Sequence, residues 1–150
     1  KGSLYQGGIH VPLMIAGPGI DVGPSRTPAL AHVVDLYSTI LDAAGANSSV
    51  IPSTIPIDGV SLWPLLDGSK TSVRDWVLAE FFGASESNKT GKAARDEQYK
   101  LINLDSGAQR FFDLDADPYE ESPLDRDNLD AEPLSRYEKL RDLLESIPAN

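Results

Sequence analysis

The sequence predicts two kinds of architecture in succession: the tail of a large α/β domain, then a small α+β subdomain with an antiparallel sheet and a C-terminal helix. Three observations carry this. Residues 11–16, "VPLMIA", are a continuous apolar run closed by Gly17-Pro18-Gly19, the pattern of a strand buried on both faces. Residues 97–104 and 109–114 are strand-like runs joined by "DSGA", a turn signal that predicts a hairpin. Residues 131–147 place Leu134, Tyr137, Leu140, Leu144 and Ile147 on one helical face.

The first strand needs neighbours on both sides, and those are expected before residue 1. Residues 20–29 read as loop. Residues 31–45 carry Val33, Leu36, Tyr37, Ile40, Leu41 and Ala44 at helical spacing and end at Gly45, the expected C-terminal glycine. Residues 46–58 read as an extended connection. Ser61 and Pro64 suit the start of a short helix ending at Gly68. The aromatic and aliphatic run 75–82 reads as a strand, and the small, polar stretch 83–96 as a mobile loop. Asp130 stands where the final helix would be capped, and Asp130 and Glu132 suit its positive end. The expected division is residues 1–70 as the end of the larger domain and 71–150 as the small subdomain.

Composition narrows the function classes. The 150 residues hold 41% apolar side chains, enough for a real core. With 23 acidic against 13 basic residues the formal charge is −10, a sign that disfavours nucleic acid and anionic membrane surfaces as partners. There is no cysteine, which excludes a disulfide framework, a thiolate metal site and a cysteine nucleophile within these residues. No apolar run approaches the ~18 residues of a membrane span.

Several strings suggest chemistry and lose it on inspection. "VGPSRTPA" has the form of a Cys/Ser-x-Pro-Ser-Arg nucleophile motif, but Val22 stands at the reactive position and has nothing to oxidise. "DLDADPYEE" alternates Asp113, Asp115 and Asp117 like a calcium loop. The glycine and the bidentate glutamate such a loop requires are replaced by Pro118 and Leu124. The nine acids within 113–132 therefore read as a solvated turn. His32 and Asp35 are spaced for a local hydrogen-bonded pair of structural character. In "KGSLYQGG", Lys1 precedes glycines that let the backbone fold tightly or approach another segment. A cation held near a strand end is placed to meet an anion.

Taken together, four segments in order resemble the C-terminal part of a sulfatase. "KGSLYQGGIHVPLMIAGPG" is similar to the family's Lys-Gly-x-x-Tyr/Trp-Glu-Gly-Gly-Ile/Val-Arg-Val-Pro stretch. "HVVDLYSTILDAAG" resembles its Val-Asp-Leu-x-Pro-Thr-Leu-Leu helix. "IDGVSLWPLLDG" resembles Asp-Gly-x-Ser-Leu-x-Pro-Leu-Leu, and "EQYKLINLDSGAQRFFDLDADPYEESPL" the closing hairpin with its Asp-Pro-x-Glu turn. Gln6, His10 and Ser38 stand where the family has Glu, Arg and Pro.

The resemblance implies a hydrolase of sulfate esters of the alkaline-phosphatase-like superfamily, whose catalytic α/β domain residues 1–70 would complete. It implies a formylglycine nucleophile and a divalent cation, calcium by family habit, both supplied by a part of the protein outside this chain. None of these residues is assigned as a metal ligand. Lys1 maps onto the family's sulfate-contacting lysine, and its ammonium would act as a point charge on a sulfate oxygen. Asn88, Lys89, Lys92 and Arg95 are candidates for substrate-side contact. The implied partners are a sulfated small molecule or glycan and the N-terminal part of the same protein, and the implied compartment is periplasmic, secreted or lysosomal. A phosphonate or phosphate-ester hydrolase of the same superfamily, and a free-standing binding or structural module, are the alternative readings.

Overall fold

The computed structural model describes residues 2–20, 22–23, 25–46, 54, 56–82 and 89–147. They form two compact units, Lys1–Leu13 with Trp76–Asn150, and Met14–Asp75.

The first unit is built on a four-stranded sheet, β1 (Val77–Phe81), β2 (Gly91–Arg95), β3 (Tyr99–Leu104) and β4 (Gln109–Asp113). The strands lie in sequence order and every neighbouring pair is antiparallel. The turn at 105–108 closes the β3–β4 hairpin, with Leu104 N–H donating to the Ala108 carbonyl at 2.9 Å. The sheet has one strand more than its sequence indicates. β2 falls in the stretch 83–96 that reads as a loop, because "GKAAR" has no large apolar residue to mark it. Its Ala93 and Ala94 are almost fully buried, one on each face. Gly91 is obligatory: a Cβ there would lie 2.1 Å from the Asn103 carbonyl oxygen of β3. Residues 83–88 lie outside the described residues.

Helix α4 (Ala131–Ser146) covers one face of this sheet. Tyr137, Leu140 and Leu144 are buried, as the helical spacing predicts, against Tyr99, Leu101, Phe111 and Ala94. Each such side chain contributes roughly 1.5–3 kcal/mol of hydrophobic stabilisation. Phe111 stacks on Tyr99 at 5.3 Å and meets Tyr137 edge-on at 5.5 Å. The other face carries Ala93, Ile102, Phe112 and Leu114, and its cover comes from the start of the chain: Leu4 is 2% exposed there. Helix α1 (Gln6–Ile9), a single turn, follows directly.

The second unit holds α2 (Asp35–Ala43) and α3 (Trp63–Leu66). α3 forms where predicted, with Ser61 Oγ accepting from Trp63 N–H at 3.1 Å. Two expectations need correction. Residues 11–16 form neither helix nor strand, and Val11, Leu13 and Met14 are exposed, Met14 by 92%. The run is apolar enough for a central strand, but a strand needs ladder partners. Helix α2 begins at Asp35, not near residue 31, and its apolar side faces out: Tyr37 and Ile40 are exposed while Asp35 and Thr39 are buried.

The buried polar side of α2 is well satisfied. Asp35 accepts from His32 N–H, Val60 N–H and the Arg74 guanidinium. Burial pushes its carboxyl up, and the Arg74, Val60 and His32 hydrogen bonds outweigh that and hold it below the ordinary 3.8. The expected His32–Asp35 pair thus exists through the histidine's backbone, and the charged partner is Arg74, 39 positions along the chain. Thr39 Oγ1 accepts from Leu62 N–H at 2.9 Å. No helix among the described residues is long and apolar enough to cross a membrane.

Candidate functional site

The opening segment is a tight turn pinned at three points. Gly2 takes φ +74°, a backbone shape that glycine accepts at no steric cost. Gly8 packs so closely under Ser3 that a Cβ would lie 2.3 Å from the Ser3 carbonyl oxygen. Gly8 and Ile9 N–H both donate to the Tyr5 carbonyl, and His10 N–H to that of Gln6. Leu4 is the apolar anchor, and Tyr5 meets Phe112 edge-on at 6.1 Å. The "GSLYQGG" string is therefore a compact loop seated on the α4-free face of the sheet. Lys1, the candidate sulfate-contacting residue, lies outside the described residues; the segment that carries it is held from Gly2 onward.

The third pin is a carboxylate. Glu120 Oε2 accepts from Gln6 N–H, while Glu120 Oε1 accepts from Lys100 Nζ at 2.6 Å. Both side chains are buried, Lys100 completely. Lys100 is the second residue of β3, between Arg95 of β2 and Phe112 of β4, and at this depth an unpaired ammonium would be prohibitive. Burial pulls its pKa below 10.5, against the pull of the Glu120 carboxylate. Glu120 has φ +58°, alone in that region among the described non-glycine residues. It leaves the turn 113–121, in which Asp113 and Asp117 cap backbone N–H groups. Asp113 Oδ1 accepts from Asp115 and Ala116 N–H, and Asp117 from Glu121 and Ser122 N–H. The acidic run is thus a self-capped turn that delivers one buried carboxylate.

The remaining candidates fall elsewhere. Lys89 is exposed just before β2, and Asn88 lies outside the described residues. Lys92 and Arg95 are strand residues, not loop residues. Lys92 Nζ pairs with Glu80 at 3.3 Å and donates to the Ile147 carbonyl at 3.2 Å. Arg95 donates to the Asp96 and Glu97 carbonyls at 3.0 and 2.9 Å, and burial lowers its pKa. Sequence reasoning missed Lys100 and Glu120. One signal was available: a lysine in the centre of the strand run "EQYKLINL" requires a buried anion. Which of nine acids supplies it depends on the path of the turn.

Among the described residues, no three of His, Cys, Asp and Glu converge in a group able to hold a metal ion. The chain has no cysteine, and Val22 stands at the motif-like position.

A four-stranded antiparallel sheet under a C-terminal helix, with a glycine-pinned segment on its open face, defines a small α+β domain of the kind that closes sulfatases. Residues 1–146 match the family described as N-sulphoglucosamine sulphohydrolase, C-terminal, and the chain belongs to that family. It is 36% identical over 132 residues to an arylsulfatase K of Rattus norvegicus, covering 80% of this chain and 22% of the relative. It is 37% identical over 121 residues to a choline-sulfatase of Rhizobium meliloti, covering 80% and 22%. The solved structure of a 2-O GAG sulfatase superposes with a TM-score of 0.66 at 27% identity, covering 85% of this chain and 27% of that one. A phosphonate monoester hydrolase of Agrobacterium radiobacter shares the fold, with a TM-score of 0.51 at 23% identity over 73% of this chain and 24% of that one. The chain spans less than a quarter of the length of these curated relatives.

Proposed function

We propose that this chain is the C-terminal part of a sulfuric ester hydrolase, in which residues 1–70 complete a catalytic α/β domain and Lys1 contacts the sulfate group. The observation that supports this most is the opening turn. The residues that match the sulfatase stretch Lys-Gly-x-x-Tyr-x-Gly-Gly are those whose glycines and leucine pin the backbone to the sheet. The role proposed for Lys1 is to bring an ammonium to the sulfate, since a cation at that group stabilises the charge of a sulfuryl group in transfer. When bound, a divalent cation and a formylglycine held by the rest of the protein supply the nucleophile and the polarisation of sulfate. These residues contribute charge and position. The substrate is a sulfated small molecule or glycan, and Lys89 is the candidate for contact beyond the sulfate. The compartment this implies is periplasmic, secreted or lysosomal.

The test is hydrolysis of 4-nitrophenyl sulfate. The longer enzyme turns it over, the 150-residue chain does not, and Lys1→Ala in the longer enzyme lowers kcat/KM about 100-fold or more, the scale of removing one preorganised donor to developing charge. Turnover by the 150-residue chain, or an unaffected Lys1→Ala enzyme, refutes the reading. The shared fold of the phosphonate monoester hydrolase makes the parallel assay with a phosphonate monoester the decisive comparison of the group transferred, sulfuryl against phosphonyl.

A further inference from the structure

Among the described residues, two buried side-chain oxygens accept no hydrogen bond, Glu80 Oε1 and Asn103 Oδ1. Buried polar atoms are ordinarily paired, so each exception asks for a partner. The two belong to one row. Glu80 of β1 stands opposite Lys92 of β2, Lys92 opposite Asn103 of β3, and Asn103 opposite Gln109 of β4. The row crosses the whole sheet on the face that α4 covers. Lys92 Nζ donates to the Ile147 carbonyl just past α4, and Gln109 Oε1 accepts from the Tyr137 hydroxyl. A ligand can reach it: the Glu80 and Lys92 side chains are 23% and 20% exposed, Asn103 is half-buried and Gln109 exposed. Phe82 follows β1 directly, two residues beyond Glu80. Phe81 belongs to the cluster on the opposite face, with Leu4, so strand alternation carries Phe82 to the side of Glu80. Phe82 is 66% exposed.

These groups select a ligand class by exclusion. The two orphan atoms are acceptors, so the missing partner is a donor. A metal cation is disfavoured, since the Lys92 ammonium stands between them in the row and lies 3.3 Å from Glu80 Oε1. A sulfate or phosphate group is disfavoured by the Glu80 carboxylate. Water satisfies an acceptor but gives no use to an exposed aromatic ring beside it. A pyranose has both aspects: hydroxyl donors around its rim and an apolar C–H face that packs on an aromatic ring. We propose that this end of the α4-covered face is a binding surface for the uncharged part of a sugar. Phe82 packs on the ring, and Glu80 and Asn103 accept from its hydroxyls. The surface lies on the opposite face of the sheet from the opening turn, and its binding does not depend on the sulfate chemistry proposed above.

The experiment is an NMR titration of the isotope-labelled 150-residue chain with cellobiose, maltose and N,N′-diacetylchitobiose. At least one of these is expected to give saturable shifts of the Asn103 side-chain amide at millimolar concentration. Phe82→Ala should weaken that binding about tenfold, the scale of one aromatic contact. Asn103→Leu, close in volume and without the acceptor, should weaken it by at least as much. Ile40→Ser, on α2 in the other unit, is the reference and should leave it unchanged. Calcium chloride and sodium sulfate, titrated in parallel, should leave the Asn103 amide where it is. Absence of saturable shifts at Asn103 with all three sugars overturns the proposal, as does a saturable shift with calcium or sulfate in place of sugar. Binding that survives Phe82→Ala undiminished also overturns it. That variant alters an exposed side chain, so the test stands if Asn103→Leu fails to fold.

Discussion

Helices α2 and α4 have similar apolar stripes and bury opposite faces. α4 lays Tyr137, Leu140 and Leu144 on a sheet that is present and complete. α2 shows Tyr37 and Ile40 to solvent, and buries Asp35 and Thr39 against the loop that leads into α3. Periodicity identifies the face that gains from burial, while the partner available decides whether it is buried. The two helices are accordingly stabilised by different physics: α4 by apolar area and aromatic packing, α2 by a satisfied carboxylate and a hydroxyl. That difference can be tested with substitutions whose costs should rank in a set order.

The largest effect belongs on the α4 side. Phe111 is 3% exposed and lies between Tyr99 and Tyr137. Phe111→Ala empties the centre of that cluster and should cost roughly 3–5 kcal/mol, read as a fall in the urea midpoint. A loss below 1 kcal/mol would show that α4 is not held by this core.

The corresponding break on the α2 side is electrostatic. Arg74→Met leaves the fully buried Asp35 carboxylate with backbone donors only, and should cost roughly 3 kcal/mol, as breaking a buried pair does. The pH dependence has a definite sign. The folded-state pKa of Asp35 lies below 3.8, so the carboxylate's contribution is fully present above about that pH. It is lost as pH falls through the depressed folded value. Arg74→Met should therefore flatten the acid limb of the stability–pH curve. A parent protein with no acid limb below pH 4 would contradict this account of α2.

The same contrast explains what was legible in the sequence. β3, β4 and α4 announce themselves because their apolar residues follow the period of the element they form and meet the partner that period implies. β2 does not, since its buried residues are a glycine and two alanines between close neighbours, and small side chains leave no hydrophobic signature. The glycines of "KGSLYQGG" were legible as a tight turn, because Gly8 has a steric reason that any glycine pair advertises. Lys100–Glu120 and Asp35–Arg74 were not, since each joins charges that the chain brings together only after folding. The 11–16 run is the reverse case: its pattern is that of a central strand, and it forms none here.

The smallest expected effect is the most informative about α2. Ile40 is 67% exposed on the outward stripe. Ile40→Ser in the 150-residue chain should change the urea midpoint by less than the equivalent of about 0.5 kcal/mol, as surface substitutions do. If residues 1–70 complete a larger α/β domain, that stripe is a core face in the longer enzyme, where the same change should cost at least about 1 kcal/mol through lost burial of a large apolar side chain. The paired measurement reads the environment of one residue in two contexts. Equal small effects in both would mean that the outward face of α2 stays in water throughout, and that the apolar stripe answers to something other than the domain proposed here. A large effect already present in the 150-residue chain would instead mean that the stripe is covered within these residues, and that α2 and α4 do not differ in the way their burial indicates.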